Sequence, residues 1–236
     1  MGRFVEALER ARDSGRAPII CDIKLRSPAE GGLIGGRDPA AVARAMAEGG
    51  AACLSVVTEP EHFGGSLELL RAVVAASDLP VLRKDFVRTA GDVRATRDAG
   101  ASCLLLIVAM LDQDTLAALH REAHACGLET LVEAHNSEEV RRALELDIDL
   151  LGINNRDIQR LEVDGGTPAI TLRLLAEAPP GVRVISESAI SSPGDVRAAI
   201  EAGALGALVG TAVLRADDTA AFVKNLSLAL RRTGSG

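Results

Sequence analysis

The chain has 236 residues, 47% hydrophobic and 25% charged, with a mean hydropathy of +0.18, which excludes disordered and low-complexity chains. Its longest uninterrupted apolar run, Cys103 to Leu111, is about half of what a membrane span requires. A net charge of −7, with four Phe as the only aromatic residues, excludes the basic surfaces and stacking platforms that nucleic acid demands, so any bound anion must be held by a local site.

The opening stretch MGRFVEALERARDSGR carries Glu6, Glu9 and Asp13, lacks the apolar core of a secretory signal and predicts a short leading helix over residues 1–16. Eight short apolar runs follow, at Pro18–Lys24, Ala52–Val57, Pro80–Lys84, Ser102–Val108, Leu128–Glu133, Ile148–Ile153, Val182–Ser186 and Leu205–Val209, and each reads as a strand. Between them lie amphipathic stretches such as Asp38–Glu48, with Val42, Ala45 and Met46 apolar, and Gln113–Cys126, with Leu116, Leu119 and Ala123 apolar. Four helices stop at a glycine just before the next strand, in AEGGAACLSVV, RDAGASCLLLIV, ACGLETLVEA and EAGALGALVG. The strands are nearly all apolar and so covered on both faces, and one βα unit repeats. The expected architecture is α/β, a single (β/α)8 barrel domain over 1–236, with its core at 18–214 and a final helix at 216–232. An open doubly wound sheet is the structural alternative, because periodicity cannot show closure. Cys21, Cys53, Cys103 and Cys126 form no CxxC pair and three of them lie in apolar runs, which predicts reduced thiols and a cytoplasmic protein.

In such a barrel the chemistry sits at the C-terminal ends of the strands. Asp22 and Lys24 end the first, Lys84 the third and Glu133 the fifth, Asn154 follows the sixth, and Ser186, Glu187 and Ser188 follow the seventh. One pocket is expected to collect them. Lys24, Lys84 and Lys224 are the only lysines in a chain that otherwise uses arginine, and two of the three stand at strand ends. Arginine cannot donate a proton near neutral pH, whereas a lysine in a dry pocket can have its pKa lowered into a useful range, so the pair predicts general acid/base work. The bland alternative is simple ion pairing, Lys84 with Asp85 and Lys24 with Asp22. Gly210 and Thr211 in ALVGTAV, with Ser188, have the chemistry of a phosphate site at the last two strands, though a tight turn and helix caps would use the same residues. His120 and His124 are spaced i, i+4 without HExxH or an evident third ligand, and read as a solvated helix face rather than a metal site. His62 and His135 stand in or beside active-end loops with no cue for a catalytic partner, and GGLIGG at 31–36 reads as a mobile loop.

Taken together, CDIKLRSP, VLRKDF, LVEAH, GINNRD, SESAI and VGTAV, in order over residues 18–214, resemble the indole-3-glycerol phosphate synthase family. The resemblance implies a (β/α)8 barrel that needs no cofactor and no metal and takes a phosphorylated small molecule. Its substrate would be 1-(2-carboxyphenylamino)-1-deoxyribulose 5-phosphate, whose indole ring it would close with loss of CO2 and water. It further implies that Lys84 protonates the ketone oxygen, that Glu133 and Lys24 share the proton transfers of dehydration, and that Asn154, Glu187 and Asp22 orient polar groups. Phe63, Ser27 and Arg156 would contact the substrate, and Ser188, Gly210 and Thr211 its phosphate. The chain departs from the family pattern with Asp22 in place of Glu, Ala29 and Glu30 in place of Ser and Lys, and Ala189 in place of Gly after SES. The segment before the first strand is also shorter than the family's usual extension, and is expected to act as a reduced lid over the substrate. Two alternatives are a catalytically silent paralogue and another phosphosugar barrel such as a phosphoribosylanthranilate isomerase, which would want a carboxylate and a thiol or two carboxylates instead of two lysines. Outer helices can bury apolar stripes against strands or a second copy alike, so the oligomeric state is not encoded legibly.

Overall fold

The computed structural model describes residues 2–156 and 169–230, and its eight main strands close into a parallel barrel. The strands are β1 (Ile19–Ile23), β2 (Cys53–Val57), β3 (Val81–Lys84), β4 (Cys103–Ile107), β5 (Glu129–Ala134), β6 (Leu150–Asn154), β7 (Val184–Glu187) and β8 (Gly206–Val209). Each pairs with its neighbours in sequence, and β8 closes on β1 through Ile19 opposite Ala207. The open-sheet alternative is thereby excluded.

Around the barrel run α2 (Pro39–Glu48), α3 (Leu67–Ala76), α4 (Ala90–Asp98), α5 (Gln113–Ala125), α6 (Ser137–Ala143), α7 (Ala169–Leu175), α8 (Pro193–Glu201), the short α9 (Thr211–Arg215) and α10 (Thr219–Ser227), preceded by a leading α1 (Arg3–Asp13). Their starts are written locally. Asp38, Ser66, Asp112, Asn136 and Asp218 each accept backbone N–H bonds as N-caps, and Thr89 with Asp92 and Ser192 with Asp195 form capping boxes. The final helix is shorter than expected, Thr219–Ser227 rather than 216–232, of which 231 and 232 lie outside the described residues. The glycines at four helix ends, Gly50, Gly100, Gly127 and Gly203, all take positive φ, the conformation that closes a helix and that Cβ-bearing residues resist.

Side chains alternate along each strand, so one set faces the helices and the other the barrel axis. The outward set, with Leu54, Val56, Leu104, Leu106, Val132 and Leu151, packs under the helices. The inward set changes character with height. Ile20, Leu82, Leu105, Leu131, Leu150 and Ile185 fill the interior, and two residues further along the same strands stand Asp22, Lys84, Ile107, Glu133, Gly152 and Glu187. A hydrophobic plug thus supports a polar mouth.

The leading helix is not a lid. Phe4, Val5 and Leu8 are buried in the barrel-interior cluster, each contributing roughly 1.5–3 kcal/mol of burial. The N–H groups of Phe4 and Val5 donate to the Glu129 carboxylate at 2.6 and 3.1 Å. Glu129 is the first residue of β5, so α1 closes the floor of the barrel, opposite the mouth. GGLIGG, expected as a loop, is partly a ribbon: Gly31–Gly32 pairs antiparallel with Arg26–Ser27, and Leu33 and Ile34 are buried. All four cysteines are free, three of them buried. Among the described residues no helix is long and apolar enough to cross a membrane.

Candidate active site

Lys84, the last residue of β3, reaches the mouth and donates to two carboxylates, Glu133 Oε2 at 2.8 Å and Glu187 Oε2 at 2.9 Å. The bland pairing with Asp85 is not made, because Asp85 accepts from Arg83 at 2.8 Å on the outer face of the barrel. Burial disfavours the Lys84 ammonium, but Glu133, Glu187 and Asp22 outweigh burial and hold its pKa above the usual lysine range. The expected lowering is therefore reversed: Lys84 is a firmly charged ammonium. The two carboxylates respond in opposite directions. Burial alone would raise Glu133, yet Lys84 and His135 hold it below the ordinary carboxyl range, whereas burial with repulsion from Glu133 and Asp22 pushes Glu187 up to about 7 against the pull of Lys84.

The convergence of these groups depends on a missing side chain. Gly152 of β6 is in register with Glu133, and a Cβ at 152 would lie 2.1 Å from Glu187 Oε1. Glycine gives the second carboxylate room to reach Lys84.

Asp22 is buried and its Oδ1 accepts from Ser55 Oγ at 2.7 Å, so the shorter acid has a partner on the neighbouring strand. Lys24 is buried one residue past β1, its ammonium 5.9 Å from the centre of the Phe63 ring. Glu59 holds the Phe63 loop by accepting the N–H groups of Glu61, His62 and Phe63, bonds that outweigh burial and lower its pKa. Asn154 Oδ1 accepts the Arg156 N–H at 3.0 Å and shapes the turn after β6.

A cavity of about 400 Å³ opens above Lys84, lined also by Asp22, Lys24, Arg156, Ser188, Gly210 and Thr211. Arg156 Nε is buried there with no hydrogen-bond partner among the described residues. Glu30 and Arg215 form an ion pair at its rim. Ser27 is buried in the ribbon and does not line the cavity. Asp157, which ends the GINNRD motif, lies outside the described residues.

Ser188 and Ala189 both have positive φ, 65° and 54°. For residues with a Cβ this conformation is strained by roughly 1–2 kcal/mol each, and a side chain holds it in place. Asn155 Nδ2 donates to the carbonyls of Glu187 at 2.9 Å and Ser188 at 3.0 Å, while its Oδ1 accepts from Thr171. Ser186, expected in the pocket, faces outward instead and joins this network through Asn155 and Thr171.

Two histidine expectations are corrected. His120 is buried and bonded to Thr130 Oγ1 and the Asp147 carbonyl, not solvated. The fold also supplies a neighbour that the spacing did not reveal, since Asp149, which pairs with His124 at 2.8 Å, completes a three-residue cluster in which both His120 ring nitrogens, His124 Nε2 and Asp149 Oδ2 already have hydrogen-bond partners. His135 does have a partner at the site: its Nε2 lies 3.4 Å from Glu133 Oε1. The sequence signal was available in Glu139, four residues on, which accepts from His135 Nδ1 at 2.9 Å.

The family model described as indole-3-glycerol phosphate synthase matches residues 1–226. Three similar proteins bear that same name. The Azospirillum brasilense protein is 41% identical over 225 residues, 95% of this chain and 85% of that protein. The Kineococcus radiotolerans protein is 43% identical over 223 residues, covering 94% and 80%. The Thermococcus kodakarensis protein is 40% identical over 224 residues, covering 94% and 98%.

Proposed function

The chain belongs to the indole-3-glycerol phosphate synthase family, and from that premise we propose that it closes the indole ring of 1-(2-carboxyphenylamino)-1-deoxyribulose 5-phosphate, releasing CO2 and water. The observation that carries this reading is the Lys84 ammonium, clamped between Glu133 and Glu187 and bordering the cavity.

Attack of the aromatic carbon on the ketone places negative charge on oxygen. An alkoxide is a stronger base than an amine, so even a lysine held above its usual range stabilises that charge and gives up its proton. The bond to the carboxylate then breaks, its electron pair restores the aromatic ring, and CO2 leaves. Loss of water needs an acid at the departing hydroxyl and a base for the proton on the adjacent carbon. Glu133 and Lys24 are assigned those transfers, with Glu187, Asn154 and Asp22 orienting the polar groups. The phosphate is assigned to Ser188, Gly210 and Thr211, with Arg156, whose Nε has no hydrogen-bond partner among the described residues, lining the same cavity. Phe63, beside the Lys24 ammonium, completes the proposed substrate contacts. Phosphate binding at one end fixes the flexible sugar chain in a ring-closing shape.

None of the four cysteines lines the cavity, so the thiol-and-carboxylate form of the isomerase reading has no support there. The chain has no Trp and no Tyr, so indole fluorescence that appears on adding the substrate is read against a dark protein. Fluorescence with release of CO2 is the expected result. Folded protein that produces neither would overturn the proposal.

A further inference from the structure

Glu133 carries a histidine on the oxygen that Lys84 does not use. Lys84 Nζ binds Oε2, and His135 Nε2 faces Oε1 at 3.4 Å, an ion-pair distance. Glu133 Oε1 and His135 Nε2 are both buried, and neither makes a hydrogen bond among the described residues, so what joins them is the ion pair. The other ring nitrogen, Nδ1, lies 2.9 Å from Glu139 Oε2. Glu139 is itself fixed at the start of α6, accepting from the His135 N–H and the Asn136 side chain while its own N–H donates to Asn136 Oδ1.

This geometry decides the charge of the ring. Nδ1 faces a carboxylate and must carry a proton. A lone pair on Nε2 would set negative against negative at Glu133, whereas a proton there sets a positive ring against both carboxylates. We propose that His135 is a positioning residue: held by Glu139 as an imidazolium, it keeps Glu133 ionised and oriented, and so leaves Glu187 as the carboxyl that carries the proton in the cluster around Lys84. The electrostatics agree. Burial pulls the imidazole down, but the two flanking carboxylates outweigh it and raise its pKa to about 9. Exposure falls along the chain, from 14% for the Glu139 side chain through 10% for His135 to 0% for Glu133. The outer carboxylate therefore sets the charge of a group that solvent does not reach.

The inference rests on the proposed ring closure, and it extends that reading by stating which of the two glutamates is ionised and which carries a proton. The charged groups that bear on Glu133 are Lys84 from β3, Glu187 from β7 and His135 at the end of its own strand, with Asp22 of β1 acting on Lys84 and Glu187 and Glu139 of α6 on His135.

The test is the pH dependence of kcat in His135→Gln and Glu139→Gln, with KM followed in parallel. Removing the positive neighbour raises the Glu133 pKa, so the acid limb of kcat moves to higher pH, by about one unit in His135→Gln and by less in Glu139→Gln. At pH 7 Glu133 stays ionised in the variant, so the loss of kcat is largest on the acid limb and smaller at pH 7, with KM little changed. Glutamine at 139 retains the cap, so that variant decides the matter if His135→Gln does not fold. An active wild type whose acid limb is unmoved in the variants would overturn the inference and leave the ring closure standing, as would a kcat lowered equally at every pH. A folded wild type that forms no indole product would overturn both.

Discussion

Glu187 Oε1 occupies the space that a side chain at Gly152 would take, 2.1 Å from where its Cβ would be. A glycine on β6 therefore decides where a carboxylate of β7 points. Gly152→Ala is expected to push Glu187 off Lys84 while the apolar interior below stays packed. A displacement of about 1 Å at a reacting group can cost about 100-fold, so a kcat loss of that order is expected with an unchanged circular dichroism spectrum. Crystallography of the variant would show whether Glu187 has moved. An undisplaced Glu187 with full activity would contradict the account.

The same carboxylate makes stability depend on pH. Glu187 titrates near 7 in the folded chain, above its value of about 4.3 in an unfolded one. The sign follows from an acid whose pKa is raised by folding: its unfavourable contribution is absent below pH 4.3, grows as it ionises, and is complete above pH 7. Glu187→Gln removes that contribution. Urea unfolding should show the variant gaining on the wild type as pH rises from 5 to 8, while its activity is lost. A stability difference that is flat across this range would show that Glu187 is not buried as a strained acid.

Ala189 at φ 54° is a further point where the site costs stability. Glycine accepts this conformation freely, and its greater freedom in the unfolded chain offsets part of the gain. Ala189→Gly is expected to stabilise the protein by about 0.5–1 kcal/mol, visible as a higher Tm. A lower Tm would mean that the methyl group packs more than the backbone strains.

Most of the barrel was legible in the sequence because its strands are covered on both faces and therefore stand out as uninterrupted apolar runs between capped helices. The polar mouth was legible for a related reason. A lysine or glutamate closing an apolar strand has nowhere to go but the pocket, which is how Lys84, Glu133 and Glu187 could be found. Residues whose role depends on register or on a neighbouring element were not legible. Gly152 matters because β6 pairs with β5 in one particular offset, Asn155 because it reaches β7 from behind, and His135 because α6 turns Glu139 back towards it. The direction of α1 was equally hidden, since an amphipathic helix can cover either end of a barrel. Its cue was Glu129, an acid at the start of a strand that accepts the helix N-terminus.

Because α1 closes the floor, damage to it should reach stability and not the substrate. Phe4 is fully buried in the barrel interior, and Phe4→Ala is expected to cost about 3–5 kcal/mol in urea unfolding. At temperatures where the variant remains folded, KM should match the wild type. A raised KM with unchanged stability would restore the lid that the structure removes.

The sharpest expectation concerns Lys84→Arg. Arginine keeps the positive charge and most of the stem, and this chain uses arginine in nearly every basic position. If Lys84 served only to balance Glu133 and Glu187 or to attract an anion, the exchange would be mild, because guanidinium pairs well with carboxylates. If it gives its proton to the ketone oxygen, the exchange is severe, since a guanidinium holds its proton too tightly and its planar fork does not occupy the place of the ammonium. A positioned general acid contributes about 10²- to 10⁴-fold, so kcat should fall by at least about 100-fold in a folded variant. Lys224, exposed on α10, supplies the control, and Lys224→Arg should be nearly silent. Retention of more than about a tenth of kcat by folded Lys84→Arg would remove Lys84 as the proton donor, and the proposed ring closure would then lack its first step.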